Sequence, residues 1–483
     1  MPKSSRYTKP IQYLSSLEKY GMKLGLKRIK PLLKSLGNPQ DKLSIIHIGG
    51  TNGKGSTSAM IASILTEAGY RAGLYTSPHL VRFNERIKIN GQEISDKKVA
   101  ELVERIRQRL EARGLGLKSK TPVPSPQSLI PTFFEFATAM AFLYFAEEKV
   151  DFAIMEVGLG GRLDATNVGN PLVSVITNIA RDHQAILGRR IKDIAFEKAG
   201  IIKKGGVLIS GETKPAALKV LTAECKNKKA IFYRFDRDFF IDENTRVKAG
   251  ALWARSRVKK ENHFAFKGRR WFLSNLTLNL LGRHQYKNAS CALAALEILQ
   301  GKGFCIPESA VRKGFQNIFW PGRLEILRKK PLIVLDCAHN PAGAEVLREA
   351  LVDLRKRKII SHIGHIRHIF LVLGIMADKD IKGILSRLAP LASIIILTRP
   401  KTERAAPLDI LYRELIKCGM RIAGRPRSGR GIKNPKLKIK FINDVADACK
   451  AALSMSKADD MICITGSVFT VGEARDALLE MLQ

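Results

Sequence analysis

The strongest chemical signal is a glycine-rich turn between a predicted strand and a predicted helix, in the segment IIHIGGTNGKGS. The apolar run ends at Ile48, and the turn brings Lys54 and Ser56 to the start of the helix. A helix N-terminus favours phosphate, lysine adds positive charge, and serine offers a hydroxyl to phosphate or Mg²⁺. The spacing departs from G-x-x-x-x-G-K-S/T because a glycine separates Lys54 from Ser56. A structural turn is the alternative, but this order of elements predicts nucleotide binding.

Acidic and imidazole side chains follow two further predicted strands. Glu156 ends the strand in DFAIMEVG, and Asp182 and His183 follow the strand in LVSVITNIA. Open α/β sheets bind their ligands at the carboxyl ends of the strands, so Glu156 and His183 can meet at one Mg²⁺. The structural alternative is a carboxylate that is only paired or hydrated.

Two more polar segments have structural explanations of their own. Lys198, in FEKAGIIKKGG, lies at a predicted helix end, where the pattern favours an exposed lysine. In DCAHNP, Asp336 and His339 follow the predicted strand PLIVLD. Asn340 before Pro341 is typical of a helix cap, so part of this motif can serve the fold.

Other candidate metal ligands give weaker signals. His362, His365 and His368 have the spacing of one helix face, but Gly364 and the strand that follows favour a basic loop over a metal site. The cysteines are scattered without C-x-x-C spacing, which indicates a reducing compartment and small core residues. They are Cys225, Cys291, Cys305, Cys337, Cys418, Cys449 and Cys463.

Strands and helices that position these groups alternate along the chain in two series. This alternation predicts parallel sheets with helical crossovers. We expect an α/β P-loop ATPase domain with a mainly parallel sheet over residues 1–318. A smaller, Rossmann-like α/β domain is expected over residues 319–483, with a hinge near 317–322 where a Pro-Gly pair interrupts the chain.

Composition narrows the class of protein. The chain has 483 residues, of which 45% are hydrophobic, and this excludes a disordered polyampholyte. Lys+Arg 82 against Asp+Glu 44 gives a net charge of +38, which favours an anionic partner without choosing between nucleic acid, membrane and small substrate. Three basic segments, near 114–128, 246–270 and 424–438, are predicted to be surface insertions with solvated loops.

Membrane and export signals are weak in this sequence. The run FFEFATAMAFLYFA is interrupted by Glu135 and is shorter than a bilayer span, so it predicts a buried helix. The N-terminal segment MPKSSRYTKPIQYLSS is basic and polar, without the apolar run of a secretory signal. We therefore expect a cytoplasmic protein.

Taken in order, the motifs resemble the folylpolyglutamate synthase and dihydrofolate synthase group of the Mur ligase family. The matching segments are IGGTNGKGS, YTSPHLVRFNERI, FFEF, EVGLGGRLDATN, TNIARDH, EKAGIIKKG, GRHQYKNASCALAAL, WPGRLE and DCAHNP. The resemblance implies an ATP-dependent ligase that joins L-glutamate to a folate-type carboxylate. The substrate carboxylate would attack the γ-phosphate of ATP, and the glutamate amine would then capture the acyl phosphate.

The resemblance also implies roles for single residues. Residues that match ATP contacts are Asn52, Gly53, Lys54, Gly55, Ser56, Asn288, Arg323 and Asp336. Ser77, Glu156 and His183 match magnesium ligands, with two Mg²⁺ expected, and Lys198 matches a lysine carboxylated by CO₂ that also serves the metal. The catalytic residues would be Lys198, His339 and Lys54. Residues that match pterin contacts are Thr132, Phe133, Phe134, Glu135, Leu163, Asp164 and Ala165.

Departures from the family are few. Cys337 stands where the family usually has glycine, and Arg189 and Arg190 follow the Asp-His pair where an acidic residue or threonine is more usual. The N-terminal and pterin segments resemble bifunctional members, so we expect ligation to dihydropteroate and to reduced folates. The implied protein is a monomer without a specific nucleic-acid or membrane partner. Alternatives are a monofunctional folylpolyglutamate synthase, another Mur-type amino-acid ligase and, in a different class, a nucleic-acid-binding P-loop ATPase.

Overall fold

The computed structural model describes most of the chain. The described residues are 5–21, 23–112, 130–242, 263–356, 366–419 and 437–482. The basic segment 114–128 therefore lies outside the described residues, as do residues 246–262 and 424–436 of the other two basic segments, and His362 and His365. The structure leaves the predictions for those segments as predictions.

The first sheet has eight strands in the order β4-β3-β2-β5-β1-β6-β7-β8. Strands β2, β5, β1, β6, β7 and β8 run parallel, and β3 and β4 add an antiparallel edge. The bounds are β1 Ile45–Gly49, β2 Ala72–Tyr75, β3 Ile87–Ile89, β4 Gln92–Glu93, β5 Phe152–Glu156, β6 Pro171–Ile176, β7 Val207–Ser210 and β8 Ile231–Arg234. The mainly parallel sheet predicted from the sequence is confirmed.

Helices cover both faces of this sheet. They are α1 Ser5–Ser16, α2 Ile29–Ser35, α3 Lys54–Glu67, α4 Asp96–Glu111, α5 Phe133–Glu147, α6 Gln184–Leu187, α7 Ile191–Ala199, α8 Pro215–Asn227, α9 His284–Gly301 and α10 Glu308–Asn317. Successive strand side chains point to opposite faces, so Ile46 and Ile48 pack with α3 and α9, whereas Ile45 packs with α2 and α5. The segment FFEFATAMAFLYFA is the buried helix α5, as predicted.

A small antiparallel sheet corrects the prediction for the second basic segment. It has the strand order β11-β10-β9, with bounds β9 Phe240–Asp242, β10 His263–Lys267 and β11 Phe272–Thr277. Phe264 and Phe266 of β10 are fully buried against α9. Residues 264–266 are therefore part of the core, because alternating aromatic side chains in a basic stretch can still supply one apolar face.

The second sheet has the order β12-β13-β17-β14-β15-β16 and is parallel except for β12. Its strands are β12 Glu325–Lys329, β13 Leu332–Leu335, β14 Ile369–Leu373, β15 Ile394–Leu397, β16 Lys438–Phe441 and β17 Met461–Thr465. Its helices are α11 Pro341–Lys356, α12 Ile381–Leu388, α13 Leu408–Ile416, α14 Val445–Met455 and α15 Val468–Met481. Helices α11 to α13 cover one face and α14 and α15 the other, which confirms the Rossmann-like architecture.

We call residues 5–317 the N-terminal part and residues 325–482 the C-terminal part, because the chain passes from one sheet to the other between α10 and β12. A domain boundary at 318/319 stays a prediction. Among the described helices, none is long and apolar enough to cross a membrane. The cysteine prediction was partly wrong, since Cys305 is exposed and Cys418 half-buried, whereas the other five are buried.

Candidate active site between the two sheets

The phosphate loop joins β1 to α3 and depends on a glycine at its last position. Gly53 precedes the helix with φ +83°, a conformation that favours glycine. A Cβ at Gly53 would lie 2.9 Å from Cγ of Asn288 and still closer to its Oδ1. The loop and Asn288, in the first turns of α9, are therefore packed without room for a side chain.

The loop is also tied to the segment that follows β6. Thr177 Oγ1 donates to the carbonyl oxygen of Asn52 at 2.7 Å, and the Asn52 amide donates to Oδ1 of Asn178 at 2.9 Å. Lys54 Nζ donates to the Thr51 carbonyl oxygen at 3.1 Å. These contacts orient the loop before any nucleotide is bound, so the helix N-terminus is presented to the cavity in one arrangement.

A cavity of about 370 Å³ opens between the carboxyl ends of the two sheets. All predicted ATP-binding, metal and catalytic residues line it, although they come from both parts of the chain. They are Asn52, Gly53, Lys54, Gly55, Ser56, Ser77, Glu156, His183, Lys198, Asn288, Arg323, Asp336 and His339. None of the seven predicted pterin residues is in this lining. The volume lies in the range of small-molecule sites.

Glu156 is the buried carboxylate of the cavity. It ends β5 next to the phosphate loop, and the Ser77 amide donates to its Oε2 at 3.1 Å. Burial raises the pKa of Glu156, and the nearby Lys54 ammonium opposes that shift. A divalent cation would favour the charged carboxylate in the same way as Lys54 does, and more strongly.

His183 lies beyond β6 in a left-handed conformation, with φ +49°. Burial lowers its pKa to about 4, with Lys379 and Lys54 adding to the effect and Asp182 opposing it. The imidazole is therefore neutral at pH 7, which is the form that binds metals.

Lys198 is buried, so the exposed lysine favoured by the helix-end pattern was wrong. Only 4% of the residue is exposed, and its Nζ donates to the Gly50 carbonyl oxygen at 2.7 Å. Burial, followed by repulsion from Lys54, lowers its pKa to about 7. A substantial fraction of this amine is therefore neutral and nucleophilic at physiological pH.

The side chains of the cavity can bind Mg²⁺ when oxygens of a substrate complete its coordination. The described residues contain no cluster of three or more His, Cys, Asp or Glu side chains around one point. Ser77, Glu156 and His183 nevertheless supply a hydroxyl, a carboxylate and a neutral imidazole to one cavity. Protein sites for Mg²⁺ commonly use one or two carboxylates and complete the shell with water and phosphate oxygens.

Asp182 and Lys379 form a buried ion pair that the motif analysis did not assign. Lys379 Nζ lies 2.8 Å from Asp182 Oδ1, with side-chain exposures of 7% and 9%. Burial alone would raise the pKa of Asp182, but His339, Lys379 and His183 hold it well below its ordinary value. Lys379 follows β14 at the carboxyl end of that strand. Ligands of open α/β sheets bind at the carboxyl ends of the strands, so the reasoning applied to Glu156 could also have identified Lys379.

The C-terminal residues predicted from DCAHNP have mixed roles. Asp336 accepts from the backbone amides of Leu324 at 3.0 Å and Ala338 at 2.9 Å, so it also fixes the backbone beside Arg323. His339 Nδ1 is 2.9 Å from the Cys337 carbonyl oxygen. Asn340 Oδ1 accepts from the Gly343 amide at 2.8 Å, which confirms the predicted helix cap.

The first predicted pterin segment begins α5 and serves the fold directly. Thr132 and Glu135 form a capping box, in which the Thr132 amide donates to Glu135 Oε2 at 2.8 Å. Arg28 Nε lies 2.9 Å from the same oxygen. Glu135 Oε1 is buried without a hydrogen-bond partner among the described residues. The pterin role of Glu135 stays a prediction, but its structural role is plain.

The second predicted pterin segment lies against the first. Phe134 packs on Gly158, where a Cβ would lie 3.0 Å from one ring carbon and closer to others. Asp164 Oδ2 accepts from the Leu159 amide at 2.8 Å, which folds the Gly158–Ala165 loop back on itself. Ala165 belongs to the apolar cluster that includes Phe133 and Phe134. The two segments are therefore neighbours, as expected.

Arg28→Met should lower the free energy of unfolding by about 3 kcal/mol, because it leaves the Glu135 carboxylate buried without its cation. Chemical denaturation followed by far-UV circular dichroism would measure the change. Arg190→Met is the matched control, since Arg190 pairs with Asp193 while 80% of its side chain is exposed. Its unfolding curve should coincide with that of the wild type. Equal curves for all three proteins would contradict the importance of the Arg28–Glu135 pair.

Two parts of the chain match known protein families. Residues 48–296 match the Mur ligase middle domain, and residues 322–468 match the Mur ligase glutamate ligase domain. The chain belongs to the Mur ligase family. This Mur ligase is therefore an ATP-dependent ligase, and the resemblance inferred from the motifs is confirmed.

Relatives and solved structures cover nearly the whole of this Mur ligase. It is 36% identical to a Bacillus subtilis dihydrofolate synthase/folylpolyglutamate synthase over 462 residues, 95% of this chain and 96% of the relative. The Mycobacterium tuberculosis folylpolyglutamate synthase complexed with ADP is 32% identical and superposes with a TM-score of 0.81, covering 98% of both chains. E. coli FolC in complex with DHPP and ADP is 29% identical, with a TM-score of 0.79 and 98% coverage of both chains.

Proposed function

We propose that this Mur ligase joins L-glutamate to dihydropteroate, which makes dihydrofolate, and also to folylpolyglutamates, with ATP as co-substrate. One observation carries the proposal: the phosphate loop, Glu156, His183, Lys198 and the residues of the second sheet line one cavity. The names of relatives at 31–36% identity support both activities. The neighbour that holds DHPP and ADP supports a pterin substrate beside the nucleotide.

One set of cavity residues would bind ATP, and another would hold the Mg²⁺ that offsets the charge of the phosphates. The amides at the start of α3, with Lys54 and Ser56, would bind the phosphates, and Asn288, Arg323 and Asp336 would contact the nucleotide from the other side. Ser77, Glu156 and His183 would hold Mg²⁺, with two ions expected. Bound Mg²⁺ supplies positive charge that offsets the charge on the transferred phosphoryl group. Lys54 adds its own charge there.

Lys198 would react with CO₂ to give a carbamate. The ammonium first loses one proton; the neutral amine then forms an N–C bond to CO₂ as one C=O π bond opens, and releases a second proton, so that a buried cation becomes an anion. The support is its burial and a pKa near 7, since only the neutral amine can react. An anionic carbamate beside Glu156 and His183 would suit a second Mg²⁺, whereas a lysine ammonium would repel it. His339 would lie beside the incoming glutamate or the reacting phosphate.

The substrate carboxylate would attack the γ-phosphate, and the glutamate amine would then displace phosphate from the acyl phosphate. Excluding water protects that intermediate from hydrolysis, and the position of the cavity between two sheets supports such exclusion. The pterin would lie between Thr132–Glu135 and Leu163–Ala165, next to the Gly158 side of the cavity. We assign the two domains to residues 1–318 and 319–483. A monomeric state and a cytoplasmic location remain predictions.

An assay with labelled L-glutamate tests the proposal. Purified protein with ATP, Mg²⁺ and bicarbonate would receive dihydropteroate, tetrahydrofolate or neither, and labelled product and ADP would both be measured. We expect product in both substrate reactions and none without a pterin. Product with tetrahydrofolate alone would indicate a monofunctional folylpolyglutamate synthase. ADP release that depends only on added DNA or RNA would support the nucleic-acid ATPase and contradict the ligase.

A further inference from the structure

The loops of the two sheets meet around one carboxylate, that of Asp182. Its Oδ1 accepts from the His183 amide at 2.8 Å and from Lys379 Nζ at 2.8 Å. Its Oδ2 accepts from Asn340 Nδ2 at 3.0 Å, and His339 Nε2 lies 3.5 Å away. Asp182 belongs to the N-terminal part, whereas Lys379, Asn340 and His339 belong to the C-terminal part. The contact therefore exists only while the two parts are together.

We call the arrangement in which the N-terminal and C-terminal parts lie against each other closed. Because the Asp182 contact is buried, it stabilises only this closed arrangement. Both Asp182 and Lys379 are more than nine-tenths buried as side chains. A buried charge is stable only when its partner and the remaining hydrogen bonds are all in place. If the C-terminal part moved away, both groups would return to water. Partial closure would leave each charge desolvated without its partner, so intermediate arrangements are disfavoured.

Asn340 connects the same carboxylate to the phosphate loop. Asn340 Nδ2 donates to Asn52 Oδ1 at 2.9 Å, and Asn52 Nδ2 donates back to Asn340 Oδ1 at 3.3 Å. Asn340 is 2% exposed and caps α11, so its amide has little freedom. The Asn52 side chain, in the loop expected to bind phosphate, is therefore oriented by a helix of the C-terminal part.

Lys379 also orients His183. Its Nζ lies 3.3 Å from His183 Nε2, so the buried ammonium restricts where the imidazole can lie. Lys379 is absent from the residues that line the cavity. It is placed to act on the site through Asp182 and His183, without contact to a substrate.

We propose that Lys379 is a positioning residue for the ligation reaction, which fixes the C-terminal part on the phosphate loop through Asp182 and Asn340. We call Asp182, Lys379, Asn340 and Asn52 the interdomain clamp. The role in ligation rests on the proposed function, whereas the role in closure does not. A nucleotide on the phosphate loop would then find Asn52 and His183 already oriented.

Three variants test the interdomain clamp. Lys379→Met keeps the length of the side chain and removes its charge, and Lys379→Arg keeps the charge. Lys401→Met is the matched control, because Lys401 is also in the C-terminal part but pairs with Asp444 while 78% exposed. For each protein, small-angle X-ray scattering with a non-hydrolysable ATP analogue reports closure. Calorimetry reports ATP affinity, and the glutamate assay reports kcat and KM.

For Lys379→Met we expect a larger radius of gyration with the analogue and a fall in kcat on the order of 10²-fold, because the reacting groups are misplaced. ATP affinity should fall by a smaller factor than kcat, since the phosphate loop is intact but the nucleotide contacts of Arg323 and Asp336 depend on closure. Lys379→Arg should recover closure and at least part of kcat, and Lys401→Met should match the wild type. Thermal unfolding of each variant verifies that it is folded.

Two outcomes would overturn the proposal. One is a radius of gyration for Lys379→Met equal to that of the wild type. The other is an unchanged kcat with a raised KM for glutamate, which would make Lys379 a direct substrate contact. If the wild type itself formed no product, the proposed function would fail, and the scattering comparison would still decide whether Lys379 holds the two parts together.

Discussion

Lys198→Met should abolish glutamate ligation, with a fall in kcat of roughly 10³-fold, comparable to the loss of one preorganised group at a reacting centre. Methionine fills the buried space of Lys198 but can form no carbamate. ATP binding should persist, because Lys198 contacts the Gly50 carbonyl oxygen and its loss leaves the start of α3 intact. The measurements are kcat in the glutamate assay and ATP affinity by calorimetry.

Carboxylation itself has a direct readout and a matched control. With ¹³C-bicarbonate, the wild type should show a carbamate NMR signal that is missing from Lys198→Met. Lys203→Met is the control, since burial and nearby lysines lower its pKa to about 8, yet it donates to Asn167 outside the cavity. That variant should retain the signal and the activity. Normal ligation by Lys198→Met would show that the assigned role is wrong.

The pKa of Lys198 predicts how carboxylation depends on pH. Its pKa is lowered to about 7, and only the deprotonated amine reacts. The initial rate of CO₂ uptake by CO₂-free protein, corrected for dissolved CO₂, should therefore rise with pH up to about 7 and level off above it. A lysine with an ordinary pKa would give a rate that continues to rise beyond pH 9. Such a profile would contradict burial of the amine.

Gly53→Ala should lower ATP affinity on the order of 100-fold, which corresponds to about 2.7 kcal/mol. A left-handed φ costs a side-chain residue about 1–3 kcal/mol, and the added Cβ would also overlap the Asn288 amide. The loop or Asn288 must shift, and both line the nucleotide cavity. Isothermal titration with ATP and Mg²⁺ measures the loss.

Two variants separate backbone strain from overlap at Gly53. Gly91→Ala places a Cβ at φ +77° with nothing within 4 Å, so it carries strain without overlap and should bind ATP as the wild type does. Adding Gly53→Ala to Asn288→Ala should reduce affinity by less than the same change in the wild type, because the overlapping amide is gone. Wild-type affinity for Gly53→Ala would refute the packing argument.

Local patterns predicted most of the secondary structure. The apolar runs that form β1, β5, β6 and β13 were identified, as were the helices α3 and α5, because strand and helix periods are visible within a few residues. The short antiparallel strand β10 was missed, since its aromatic alternation lies inside a basic stretch. A short strand of this kind depends on a partner surface, here α9, that the local sequence does not show.

Some features of the candidate site could be predicted from the sequence, and others could not. The order of strand, glycine turn, lysine and helix was enough to predict the phosphate loop, because a helix N-terminus creates an anion site locally. Placement of Glu156 followed from the rule on strand ends. For Lys198, the helix-end pattern wrongly favoured an exposed lysine, whereas the resemblance placed it beside the metal ligands, and it lines the same cavity as they do.

Tertiary structure alone decided the contacts that join distant segments. Asp182 and Lys379 are 197 residues apart, and Asn52 and Asn340 are 288 apart, so no local period relates them. Glu135 likewise became an ion-pair partner of Arg28 through packing of α2 on α5. The sequence determined which residues could do chemistry. Packing determined which of these residues are buried and which contact one another, because burial and pairing depend on the surfaces of other helices and strands.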